Sequence, residues 1–198
     1  MAKRIVPDRC WGAVIDVQDF FLAQLGNRML RTRIETDLIS FARLLGYFRI
    51  PLIATLERPV HRKGRVPARL EMLGEQADVF EKDFFDLTKE KKIRDHVAGL
   101  KRKQAVIAGC ETDVCVLQSC LGLLDHGYEV YVVEDLLFSS ARNVEAAIAR
   151  MRAEGAVLLT YKTLFYELIE AVEGGRHADK MTATYGPFPD DLPDCAGR

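Results

Sequence analysis

The chain lacks an excess of charge of either sign. Its 28 lysine and arginine residues face 29 aspartate and glutamate residues, for a formal net charge of −1 over 198 residues. A surface that holds a nucleic-acid backbone needs a basic excess, so no nucleic-acid partner is expected. Basic clusters such as Arg28, Arg31 and Arg33, or Lys101, Arg102 and Lys103, read as solvated helix faces. Long apolar runs are also missing. None approaches the about 20 residues needed to cross a bilayer, so no membrane partner is expected. Residues 1–8 hold no extended apolar stretch; no signal peptide is read there, and a cytoplasmic location is expected. Cysteine is scarce and odd in number, five in all, without the paired framework of a small secreted domain. Cys110, Cys115 and Cys120 fall five apart, which on a helix turns each about 140° from the last. They cannot share one metal ion from that element, which leaves zinc out and reads the thiols as reduced. No internal repeat or low-complexity stretch occurs.

What is present is an ordinary globular composition, 48% hydrophobic, at a length that suits one domain with a full core. Apolar runs over residues 12–16, 51–56, 104–108, 129–134 and 156–161 predict five strands, and 78–82 a weaker sixth. Val106-Ile107 and Val130-Tyr131-Val132-Val133 are apolar on both faces, as in buried parallel sheets. Helical spacing predicts helices over 20–48, 88–100, 112–126, 142–153 and 163–173, with Gly127 and Gly155 as stops and Ser139 and Ser140 as a cap. This alternation predicts an α/β fold: a doubly wound, mostly parallel six-stranded sheet with helices on both faces, Rossmann-like, in a single domain over 1–198. Residues 58–74, rich in Pro, Gly and basic side chains, read as an active-site wall or lid. The tail over 174–198 reads as frayed or packed on a neighbouring subunit.

Chemistry concentrates where strands end. The strand over 104–108 stops at Gly109, and Cys115 falls in the first turn of the helix opening at Thr112. There a thiol faces the carboxyl edge of the sheet, in the field of unpaired backbone N–H groups, which favours thiolate. Asp16 closes the first strand and projects into the same crevice. The residues alone leave Asp16 open between a helix cap and a catalytic carboxylate, with Asp19 the better-placed cap. Lys82, flanked by Phe80, Phe84 and Phe85, taken alone reads as a surface lysine. With Asp16 and Cys115 it supplies the positive charge that a carboxylate–thiol pair needs.

With these residues in view, the chain resembles the isochorismatase-like cysteine hydrolases. Ile15-Asp16-Val17-Gln18, Lys82 in its aromatic setting, and Gly109-Cys110-Glu111-Thr112-Asp113-Val114-Cys115-Val116 look like the family's three motifs in order. The similarity runs over about residues 14–171. It implies a catalytic Asp16–Lys82–Cys115 triad and a cis peptide before Glu111. That peptide directs the Glu111 N–H to join the Cys115 N–H in an oxyanion hole. It also implies hydrolysis of a small amide, imide or ureide through a thioester, and a homo-oligomer, dimer or larger. Nicotinamidase members carry an Asp-x-His pair and a further histidine after the second strand. This sequence has Thr55-Leu56-Glu57-Arg58-Pro59-Val60-His61, so His61 reads as a loop residue, and neither a catalytic metal, another cofactor nor nicotinamidase activity is expected. Gln18, Phe20, Phe21, Glu57 and Phe84 are expected to line the substrate pocket. Arg58 and Arg65 offer charges to a substrate carboxylate or to loop salt bridges. Two other readings stand: vinyl-ether hydrolysis with Asp16 as the acid, and an inactive oligomeric binding protein on the same fold.

Overall fold

The computed structural model describes residues 3–170 together with His177 and Lys180, and leaves the side chains of Glu71 and Met72 undescribed. Apart from His177 and Lys180, the tail over 174–198 lies outside the described residues. Six parallel strands form one sheet: β1 (Cys10–Ile15), β2 (Leu52–Glu57), β3 (Ala77–Lys82), β4 (Gln104–Gly109), β5 (Glu129–Leu137) and β6 (Val157–Leu159). Their order is β3-β2-β1-β4-β5-β6, the doubly wound arrangement in which the chain reverses direction of growth between β1 and β4.

The strands are apolar on both faces because both faces are covered. Alternate β1 residues split between two cores. Cys10 and Val14 pack with Leu38, Phe41 and Leu45 of α2 (Arg28–Tyr47), and with Leu164 and Leu168 of α8 (Tyr161–Ile169). Trp11, Ala13 and Ile15 pack with Ile93 and Val97 of α5 (Lys91–Gly99), Cys120 and Leu123 of α6 (Leu117–Asp125), and Met151 of α7 (Glu145–Ala153). This pins strand register, since a slip of one residue would exchange the two faces.

Several elements differ from the expectation. The helix read over 20–48 is two, α1 (Asp19–Ala23) and α2, because the Asn27 side chain accepts from the N–H groups of Met29 and Leu30 and starts a new helix. The segment 58–74 is not irregular: it holds α3 (Val60–Lys63), a 3-10 turn over Ala68–Leu70, and the start of α4 (Glu71–Gln76). The serine cap fails too. Ser139 bonds Asp113 at 2.6 Å, and α7 begins only after Asn143 accepts from the Glu145 N–H. Gly127 and Gly155 do close α6 and α7 in positive-φ conformations.

Gly109 is the most closely approached of the described glycines. Its φ is 117°, and a Cβ there would lie 2.2 Å from the Ile15 carbonyl oxygen. The three nearest atoms, Ile15 O, N and C, are all backbone, so nothing can give way cheaply. Gly109→Ala is expected to cost about 3 kcal/mol or more in urea unfolding; a loss under about 1 kcal/mol would show that the β1–β4 approach is not constrained.

Candidate active site

β1 and β4 are neighbours, so the crevice beyond their carboxyl ends is the binding position this topology provides. Asp16 is the first residue past β1. It takes a left-handed backbone, φ 51°, uncommon for a residue with a side chain but better tolerated by aspartate. Its N–H is held by the Thr55 carbonyl at 3.1 Å and hydroxyl at 3.2 Å, and Thr55 Oγ1 donates to Oδ1 at 2.7 Å. Across the crevice Lys82, the last residue of β3, places Nζ 2.7 Å from Asp16 Oδ2. Both side chains are fully buried. Lys82 Nζ also donates to the carbonyls of Phe84 at 3.1 Å and Phe85 at 3.4 Å. The loop that offers them is tied to α6, where Ser119 bonds both the Phe85 carbonyl and the Leu87 N–H. A buried ammonium is tolerable only when so compensated.

β4 delivers the thiol. Beyond Gly109, the Cys110–Glu111 peptide bond is cis. Thr112–Val116 then forms a π-helical turn, closed by Val116 N–H donating to the Glu111 carbonyl, before α6 begins. The sequence spacing predicts an unbroken α-helix here; wider turns of this kind concentrate at functional sites. The turn is anchored at Phe138, whose carbonyl accepts from both the N–H and the hydroxyl of Thr112. The Glu111 carboxylate faces away, accepting from the Ser140 N–H at 3.1 Å.

Cys115 is buried and its Sγ donates to Glu57 Oε2 at 3.0 Å. Ligand-type atoms of Asp16, Glu57 and Cys115 all lie within 4.8 Å of one another. Both carboxylates already carry a lysine: Asp16 holds Lys82, and Glu57 holds Lys63 of α3 through Oε1. Burial, and then the Asp16 charge, push the Cys115 thiol well above its ordinary value, with Lys82 pulling the other way. Burial and the facing carboxylate thus act against the helix-end field that favours thiolate, and fit a thiol that needs a base. Burial likewise raises the Asp16 carboxyl, against Lys82 and its hydrogen bonds. Burial works against charge on Glu57 as well, yet Lys63 and Cys115 outweigh it and hold that carboxyl below the usual range. The two carboxyls are thus pushed in opposite directions, Asp16 towards proton uptake and Glu57 away from it. Iodoacetamide labelling of Cys115 is expected to be slow at pH 7 and still rising at pH 9; a plateau below pH 7 would contradict a resting thiol.

The remaining expected pocket residues divide. Glu57 is at the thiol. Gln18 is buried, but its amide is spent on backbone: Nε2 donates to the carbonyls of Glu57 and Gly64, and Oε1 accepts from the Glu57 N–H. It positions Glu57 and has no free polar atom for a substrate. Phe21 packs in the core with the Lys63 ammonium over its ring at 5.5 Å, so it is no free pocket wall. Phe20 and Phe84 stand half-exposed. Arg58 is engaged by Glu81 and Asp83, and His61 lies on α3 in an open cleft with Arg58 and Glu81, one that Cys115 does not line. Thr55 and Lys63 belong to the site and were not read as such. The position of Thr55 one pair from Glu57 on β2 was the available signal.

A thiol, two carboxylates and two ammonium groups gathered at the switch point of a parallel sheet define a doubly wound α/β protein with a reactive site at its carboxyl edge. The chain belongs to the isochorismatase family: residues 13–163 match the Isochorismatase domain. The secreted isochorismatase effector Isc1 of Phytophthora sojae is 30% identical over 169 residues, covering 83% of this chain and 79% of that protein. Among solved structures, YcaC of Pseudomonas aeruginosa, described with hexane-2,5-diol and covalent acrylamide, superposes at TM-score 0.81 with 24% identity, covering 91% and 90% of the two chains. The Escherichia coli YcaC gene product, described as an octameric hydrolase of unknown specificity, gives 0.79 and 22%, covering 86% and 84%. The MAR1 ribonuclease of Caenorhabditis elegans gives 0.75 and 26%, covering 96% and 98%. No helix among the described residues is long and apolar enough to cross a membrane.

Proposed function

We propose that this chain is a metal-independent cysteine hydrolase that cleaves the C–N bond of a small amide, imide or ureide, with Asp16, Lys82 and Cys115 as its catalytic triad. The observation that carries the reading is the fully buried Asp16–Lys82 pair, 2.7 Å apart, facing the Cys115 thiol. Asp16 takes the proton as Cys115 Sγ forms a bond to the carbonyl carbon. The oxyanion is held by the N–H groups of Glu111 and Cys115. As the C–N bond breaks, the amine leaves with the proton from Asp16, and a thioester remains. Water, deprotonated by Asp16, adds to the thioester and releases the acid and the thiol. Lys82 keeps Asp16 in place throughout. With each carboxylate near the thiol already neutralised by a lysine, the charge balance of the site closes without a metal ion.

The covalent acrylamide described on the Pseudomonas protein supports a reactive nucleophile on this fold. The octamer described for the E. coli protein supports a homo-oligomer, with the tail over 174–198 of this one domain packing on a neighbour. Among the described residues, the free, buried cysteines at 10, 110, 115 and 120 support a reducing, cytoplasmic setting. Ribonuclease is the activity named for the C. elegans protein. Here the carboxylates and lysines at the thiol balance one another and the chain has no basic excess, which disfavours a polyanion and favours a small uncharged substrate. The test incubates wild type, Cys115→Ala and Asp16→Asn with a panel of amides, ureides, nicotinamide, isochorismate and RNA. Turnover of an amide or ureide, lost in both variants, is the expected result. Activity that survives Cys115→Ala but not Asp16→Asn would replace the thioester route with vinyl-ether hydrolysis.

A further inference from the structure

The thioester route assigns three of the four positions around the attacked carbon and leaves one. Sγ forms the new bond, the Glu111 and Cys115 N–H groups take the oxygen, and Asp16 serves the leaving group. The fourth substituent, retained on the acyl carbon, is separated from Sγ by a single atom. With the oxygen and the leaving group assigned to other partners, Glu57 Oε2, 3.0 Å from Sγ, is a polar atom at the thiol left to meet it.

Glu57 is built to hold an acceptor there. Its backbone is fixed at both ends by the Gln18 amide, which accepts from the Glu57 N–H at 2.8 Å and donates to its carbonyl at 3.2 Å. The same amide reaches the Gly64 carbonyl at 2.7 Å and so ties down the end of α3. Lys63 of α3 engages Oε1, leaving Oε2 directed at the thiol. In the resting site the thiol proton occupies Oε2. When Asp16 removes that proton, a nearly buried carboxylate oxygen is left without a donor. A methyl group facing it would leave that oxygen unpaired, whereas an N–H would satisfy it.

We propose that Glu57 Oε2 is the acceptor for an N–H on the retained side of the acyl carbon, so that Glu57 selects N–H-bearing acyl groups over their methyl isosteres. This deepens the thioester reading above and rests on it. Glu57 is then a specificity-determining residue, distinct in role from Asp16. The first carboxylate moves the proton and the second reads the acyl group.

The probes are p-nitrophenyl carbamate and p-nitrophenyl acetate, which share a leaving group and differ by NH2 against CH3 on the attacked carbon. In each case the thiolate displaces p-nitrophenolate, leaving an S-carbamoyl or S-acetyl group on Cys115. Nitrophenolate release is followed at pH 6.5, with peptide mass mapping of the adduct to Cys115, and each rate is divided by that of glutathione under the same conditions. Wild type is expected to prefer the carbamate by about tenfold or more on this normalised scale, the worth of one charge-assisted hydrogen bond. In Glu57→Leu the preference is expected to fall to that of glutathione while Cys115 remains the labelled residue. A wild-type ratio equal to that of glutathione overturns the inference without any variant. A preference that persists in Glu57→Leu also overturns it and leaves the nucleophile assignment standing. If neither ester labels Cys115 in wild type, the thioester reading itself fails, and the role of Glu57 fails with it.

Discussion

Lys82→Met is expected to lower the stability of the protein by about 3–5 kcal/mol, the cost of leaving one partner of a buried ion pair alone. Lys82 is among the largest fully buried side chains of the molecule, and its ammonium serves Asp16 and two loop carbonyls. Without it, burial drives Asp16 towards its neutral form. The sign of the pH dependence follows. A carboxyl raised in the folded state binds protons that the unfolded chain has released, so stability falls as pH rises from the ordinary carboxylate value towards the folded one. The deficit of the variant should therefore be smaller at pH 5 than at pH 8. Asp16→Asn combined with Lys82→Met should recover much of the loss, because no charge is then left unpaired. Urea unfolding of wild type, both single variants and the double variant checks this. Additive losses with no pH dependence would show that the pair is not coupled.

Cys115→Ala is expected to reduce turnover by about 10^4-fold or more, since nucleophilic residues that act as a unit lose nearly everything when one is removed. The fold should survive. Cys115 packs against apolar neighbours of the α5–α6 core, and shortening a buried side chain by one sulfur atom leaves only a small cavity, at a cost of about 1 kcal/mol. Steady-state turnover together with circular dichroism separates the two effects. Loss of activity with loss of near-ultraviolet signal would assign Cys115 to structure instead of chemistry.

Much of this was legible from residue order because the fold obeys a short-range rule. Strands buried on both faces carry unbroken apolar runs, and the residue closing each run lies at the carboxyl edge. That placed Asp16 and the turn carrying Cys115 at one edge of the sheet, whereas Lys82, on a strand with little apolar pattern, joined them only through their combination and the family resemblance. What escaped the sequence depended on contacts between distant segments. The role of Gln18 is invisible locally, since its amide is consumed by backbone groups of Glu57 and Gly64. The π-helical turn at Thr112–Val116 is set by its anchoring at Phe138 and by the Glu111 carbonyl, not by helix propensity. The upward push on the Cys115 thiol comes from burial and from the Asp16 carboxylate facing it, a contact between distant segments. Lys63, the partner that fixes Glu57, sits on a helix inside a segment whose proline, glycine and charge suggested only loop.

The central claim is that Cys115 carries the substrate's acyl group. The most direct measurement is intact-mass analysis of wild type, rapidly quenched during turnover of an amide from the panel, followed by peptide mapping. The account predicts an adduct equal to the acyl portion of the substrate, without its amine, on the peptide containing Cys115 and absent from Cys115→Ala. Turnover that proceeds with no adduct at any quench time, and at an undiminished rate in Cys115→Ala, would contradict it.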